Sequence, residues 1–267
     1  MSVELTALRA LAITAAGCGA GFINAIVGSG TLISYPTIVG VGFDRLAANI
    51  ANNIGLFPGS LSASYGYRRE LAGQRRLLMR LIPMSALGGL TGSLLLLVLP
   101  SRYFNRVVPF LVLIGVLLVL VQPVVQRAVK FRQARRPVPS EVAATPADGR
   151  WVSPWLQLGV LVTGVYGGYF GAAQGIILMG MLGIALSDDL QRLNATKNVL
   201  ATVVNGTAAV VFVIRGDVSW GVVGLVAFGS VLGAQVGALM GRRIPPAVLR
   251  AVIVVVGTVV AVKLFLG

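Results

Sequence analysis

Lys197 stands in Asn194-Ala195-Thr196-Lys197-Asn198, one cation among amides and hydroxyls at the start of an otherwise uncharged apolar stretch. An ammonium group has three N–H donors, and its amide and hydroxyl neighbours add more, so the set suits an oxyanion. A second reading is that Lys197 snorkels to lipid headgroups, since it lies about one turn past Arg192. Two glycine clusters, Gly28-Ser29-Gly30 and Gly171-Ala172-Ala173-Gln174-Gly175, each interrupt an apolar run. A broken helix exposes backbone N–H groups carrying partial positive charge, and glycine lets an anion reach them without an intervening side chain. Asn24, Ser29, Asn52, Asn53, Gln174 and Asn205 are neutral polar residues inside apolar surroundings. Interhelical hydrogen bonding explains any one of them, but their grouping around the two breaks points to a shared cavity. The candidate site is therefore Asn24, Gly28, Ser29, Gly30, Asn52, Asn53, Gly171, Gln174, Gly175, Thr196, Lys197 and Asn198.

The missing residue types narrow the chemistry. The chain has no histidine, and none of its 8 acidic residues falls clearly within an apolar run. Histidine metal sites, histidine bases and proton relays are thereby removed. There is no Walker A pattern, and no serine or threonine has a histidine partner. Neither an enzyme nor a bound metal or cofactor is expected. Cys18, the single cysteine, reads as a small packing residue.

The elements that must hold these residues are set by composition. Of 267 residues, 56% are hydrophobic and 11% charged, with 34 glycines and a net charge of +14; mean hydropathy is +0.88. A soluble domain carries about 25% charged residues, and disorder is incompatible with this hydrophobicity. The chain reads as an all-α polytopic membrane protein. Its apolar runs are Leu5–Val27, Thr31–Phe43, Leu46–Tyr65, Leu81–Leu99, Val107–Val125, Trp155–Phe170, Ile176–Leu186, Leu193–Ile214, Val218–Met240 and Val248–Leu266. Thr31–Phe43 and Ile176–Leu186 are too short to span upright. Each follows a glycine cluster, so each is expected to close a hairpin that enters the membrane and returns.

Basic residues lie between the runs rather than on a soluble face, which disfavours nucleic acid as a partner. The clusters Arg68/Arg69/Arg75/Arg76/Arg80, Arg127 to Arg150, and Arg242/Arg243/Arg250 all fall in the cytoplasm if both hairpins return to their starting side. Both termini are then outside, and no cleaved signal peptide is expected. Residues 126–150, with Pro137, Pro139 and Pro146, read as a mobile cytoplasmic connector. It separates residues 1–125 from residues 151–267. Each part holds a Gly-broken hairpin, an Asn-rich helix and two plainer helices, with five apolar segments per part. The halves are therefore expected to form two inverted-topology repeats with a site at their interface near the membrane midplane. Gly229, Gly233, Gly237 and Gly241 form a small-residue stripe that serves either internal packing or a homodimer.

Several of these segments resemble a known family. Gly21-Phe22-Ile23-Asn24-Ala25-Ile26-Val27-Gly28-Ser29-Gly30 through Pro36 is similar to the first-repeat signature of the sulfite exporter TauE/SafE family. So are Gly164-Val165-Tyr166-Gly167-Gly168-Tyr169-Phe170-Gly171, the Asn194–Asn198 segment, and the tail from Leu232 to Arg250. Thr31 and Ala172-Ala173-Gln174 stand where the family is often richer in glycine. The resemblance implies a permease of the bacterial cytoplasmic membrane that exports small sulfur oxyanions such as sulfite, sulfoacetate or related organosulfonates. An importer or channel for another small anion or sulfur compound, and a non-transporting membrane scaffold, are the alternatives on the residues alone.

Overall fold

The computed structural model describes residues 5–134, 152–186, 188–240, 251, 253–259 and 262. Among these residues the chain is helical and contains no strand. The elements in the first half are α1 (Ala7–Ile26), α2 (Thr31–Gly40), α3 (Arg45–Gly66), α4 (Arg75–Val98) and α5 (Ser101–Ala134). The second half contributes α6 (Pro154–Tyr169), α7 (Gln174–Ala185), α8 (Leu190–Arg215) and α9 (Trp220–Met240), with residues 253–259 helical beyond them. Among the described residues, five segments are long and apolar enough to cross a membrane: Ala7–Ile26, Arg75–Val98, Ser101–Val129, Leu190–Arg215 and Trp220–Leu239. The protein is a multi-pass membrane protein.

At ~1.5 Å per residue, the 10 residues of α2 and the 12 of α7 extend roughly 15 and 18 Å. A hydrocarbon core is ~30 Å thick, so each is a half-helix. Both breaks are built alike. The N–H groups of Val27 and Gly28 both bond to Ile23 O at the end of α1, and those of Phe170 and Gly171 both bond to Tyr166 O at the end of α6. Gly28 and Gly171 then turn the chain with φ of 83° and 77°, a conformation that disfavours residues with a Cβ. The next long helix in each half starts on an aspartate. Asp44 Oδ2 accepts from the Leu46 N–H, and Asp189 Oδ2 accepts from the Gln191 N–H, both at 2.9 Å, so both ends are capped in the same way.

The halves are interleaved rather than side by side. Helix α1 packs along α9 and α6 along α4, while α3 lies against α9 and α8, and α8 against α4. Glycines make the close approaches: Gly88 and Gly92 of α4 face the Leu161 and Val165 carbonyls of α6, and Gly233 and Gly237 of α9 face those of Cys18 and Phe22 of α1. In lipid such association depends on packing and hydrogen bonding rather than on hydrophobic transfer. Gly229, Gly233 and Gly237 are thus engaged within the chain; Gly241 lies outside the described residues. Tyr35 of α2 stacks edge-on against Phe170 of the opposite break, with ring centroids 5.2 Å apart.

Two boundaries differ from the sequence reading. Helix α4 begins at Arg75, well before its apolar run, because a helix can extend beyond the hydrocarbon with arginines on its first turns. Helix α5 continues through Gln126 to Ala134, residues assigned above to the connector. Gln126, Arg127, Lys130, Arg132 and Gln133 are all good helix formers, no proline intervenes before Pro137, and basic residues suit a helix C-terminus. The rest of the connector, the Arg242/Arg243/Arg250 cluster and most of Val248–Leu266 lie outside the described residues.

Candidate functional site

Where α1 breaks, the carbonyls of its last turn lose their helical donors and must find others. Helix α8 supplies them. Asn194 Nδ2 and Asn198 Nδ2 donate to Ala25 O at 3.2 and 3.3 Å, and Lys197 Nζ donates to Asn24 O at 3.2 Å. Residues 194, 197 and 198 share one face of the helix, which is why an Asn-x-x-Lys-Asn spacing can serve one broken end. Helix α3 does the corresponding work for the second half, with Asn49 Nδ2 donating to Tyr169 O at 3.0 Å.

Beside the Lys197 contact lies a small pocket. Of the residues expected at the site, Asn24, Gly28, Gly171, Gln174, Gly175, Lys197 and Asn198 line it. So does Asn205, whose Nδ2 donates to Ser60 Oγ across the α3–α8 contact at 3.0 Å. Thr31, Ser60, Ala63 and Ala201 complete the wall. The helical period could also have revealed Ala201, which lies with Asn205 on the stripe of Asn194, Lys197 and Asn198 along one face of α8. Ser60 similarly lies two turns past Asn52 and Asn53 on α3.

Five expected residues do not line the cavity. Gly30 uses its N–H on Asn24 Oδ1 at 2.9 Å. Thr196 points away from Lys197, toward the turn after α3, where its hydroxyl bonds Gln74 Oε1. Ser29, Asn52 and Asn53 are buried elsewhere, and Ser29 Oγ, Asn52 Oδ1 and Asn53 Oδ1 have no hydrogen-bond partner among the described residues. Gln74 is itself 1% exposed and also donates to Arg192 O at 3.2 Å, while Arg192 reaches Ala72 O at 3.0 Å and Asp188 Oδ1 at 2.6 Å. This polar lock, which ties the α3–α4 turn to the first turns of α8, was not anticipated from the sequence.

The electrostatics of the cavity are one-sided. Lys197 is 1% exposed, makes one hydrogen bond, and is the one charged side chain among the described residues lining the cavity. Gln174 adds a buried amide whose Nε2 has no partner among the described residues. The first residues of α2 and α7, Thr31 and Gln174, both reach the wall, and neither helix start has a capping side chain of its own. Their dipoles therefore add partial positive charge. Not all the exposed N–H groups are available, since Gly175 gives its N–H to Gly28 O at 3.1 Å. Side chains supply more of the donors than the glycine clusters suggested. Among the described residues no group of histidine, cysteine or acidic side chains could hold a metal.

Residues 13–264 match the family described as "Sulfite exporter TauE/SafE". The chain belongs to this family. It is 28% identical over 248 residues to a "Probable membrane transporter protein" of Haemophilus influenzae, covering 93% of this chain and 91% of that one. It is 26% identical over 253 residues to "Probable membrane transporter protein YfcA" of Escherichia coli K12, covering 92% and 85%. "Probable membrane transporter protein ORF9" of a Sinorhizobium species is 30% identical over 251 residues, covering 92% and 88%. No solved structure matches the chain significantly. This TauE/SafE member is a membrane transporter, and neither its family nor these relatives are described as enzymes.

Proposed function

We propose that this TauE/SafE protein is a permease of the bacterial cytoplasmic membrane that exports small sulfur oxyanions, such as sulfite, sulfoacetate or related organosulfonates. The observation that carries this reading is Lys197. A cation removed from water is strongly disfavoured unless an opposite charge or a full set of acceptors meets it. Here, among the described residues, a single carbonyl does so, and the cavity beside it is walled by amides and hydroxyls with no carboxylate. An anionic head bound there completes the ammonium's coordination.

The matched helix breaks and exchanged helix contacts support two inverted repeats, residues 1–125 and 151–267, joined by residues 126–150. In this scheme the anion enters from the cytoplasm, drawn by the basic loops, and settles between the breaks and the Asn/Lys face of α8. One repeat then rocks against the other to open the site outward. An inside-negative potential favours exit by ~2.3 kcal/mol per charge per 100 mV, a driving force that acts on the anion without a coupling ion.

The test is anion-dependent thermal stability of the purified protein, followed by efflux from proteoliposomes. Ligand at ~100 times its dissociation constant stabilises the folded state by ~2.7 kcal/mol. Stabilisation and voltage-driven efflux of a sulfur oxyanion, both lost in Lys197→Ala, are expected. A Lys197→Ala protein that transports at the parental rate would remove the lysine from the mechanism.

A further inference from the structure

The cavity's charge balance says more about its ligand than its sign. Resting on the proposed anion site, we infer that it accepts a head bearing one negative charge and rejects compact dianions whose two charges share one centre. Among the described residues in the wall, Lys197 alone is charged, and Asn24, Thr31, Ser60, Gln174, Asn198 and Asn205 are neutral. The nearest arginine along α8, Arg192, is directed to Asp188 and to Ala72 O rather than to the cavity.

Among the described residues, the first half adds no second cation to the wall. Counting from the capping aspartates, the residue of α3 that corresponds to Lys197 is Asn52. It is neutral, buried and outside the cavity wall. A monoanion is therefore neutralised by the ammonium, and its remaining oxygens meet neutral donors. A dianion leaves one charge uncompensated where water is sparse, which amide and hydroxyl dipoles offset poorly. Sulfonates fit this rule, and sulfur(IV) fits it as hydrogensulfite. A molecule with a second charge at the far end of a carbon chain also fits, because that charge stays outside the wall.

The experiment compares methanesulfonate with sulfate by thermal shift on the intact purified protein, in a constant background of a bulky gluconate salt. Half-maximal stabilisation by methanesulfonate at a concentration at least tenfold below that of sulfate is expected. Asn205→Lys, which adds a cation to the wall, should narrow that ratio by improving sulfate. Equal or stronger stabilisation by sulfate in the wild-type protein would overturn the monoanion rule while leaving the anion site standing. Stabilisation by neither salt would overturn both the rule and the reading on which it rests. The wild-type comparison decides the matter even if the Asn205 variant does not fold.

Discussion

The Gly175 N–H donates to the carbonyl oxygen of Gly28 at 3.1 Å, so the helix breaks of the two halves meet backbone to backbone. A Cβ built on either glycine would lie 2.5 Å from the other's Cα. The two hairpins thus share one contact point, at the wall of the candidate site.

Substitution at this point should be severe. Gly28→Ala meets both the clash and the positive φ, and Gly175→Ala meets the clash alone. Overpacking of this kind costs about 1–3 kcal/mol, with roughly 1–2 kcal/mol more at Gly28 for the left-handed conformation. Gly40→Ala is the control, because nothing lies within 4 Å of its added methyl. Denaturation in detergent should rank the variants Gly40→Ala, Gly175→Ala, Gly28→Ala in order of falling stability.

Lys197 should trade stability for function. Taking a charge out of water costs several kcal/mol, so replacing a buried ionic group by an apolar side chain of similar volume is often neutral or stabilising. Lys197→Met is expected to melt no lower than the parent without ligand, yet to show no anion-dependent shift. A clear drop in ligand-free stability would mean that the ammonium's bond to Asn24 O is chiefly structural.

The lock between Gln74 and α8 makes a separate prediction. Gln74→Ala leaves the Thr196 hydroxyl without its side-chain acceptor and removes the donor to Arg192 O, a loss of about 1–3 kcal/mol for buried groups. Thr196→Val should cost less, and the double variant should cost less than the sum, because the two side chains bond each other. Additive losses in a double-mutant cycle would show that they act independently.

Gly233 and Gly224 lie on the same helix but should respond differently. A methyl on Gly233 strikes the Cys18 backbone, whereas one on Gly224 meets nothing. Gly233→Ala should lower stability by about 1–3 kcal/mol without changing the mass of the detergent-solubilised particle. A change in particle mass at unchanged stability would instead place this stripe at a subunit contact.

Much of this arrangement was legible in the sequence for identifiable reasons. Gly28 and Gly171 marked the breaks because they interrupt runs that otherwise satisfy the membrane rule. Asn194, Lys197 and Asn198 marked a working face because their spacing is helical. What local pattern cannot convey is which partner a polar residue finds. Thr196 was read with its neighbour Lys197, but adjacent helical residues diverge by about 100°, and Thr196 turns to Gln74 on another element. Asn52 and Asn53 looked equivalent to the second-half cluster, yet they sit outside the cavity wall. The continuation of α5 through Gln126–Ala134 was hidden by reading apolarity as the limit of helix, when helix-forming polar residues simply carry it on.

The end of α1 waits a long time for its partners. The carbonyls of Asn24 and Ala25 are satisfied by residues 169 to 173 positions later in the chain. At ~5–20 residues per second, a ribosome takes roughly 8–35 s to make that stretch. Until α8 arrives, the first hairpin holds bare carbonyls at a depth where water is scarce. Completion of the protein is therefore a late, long-range event, and a chain arrested in its second half exposes a defect at the very edge of the candidate site.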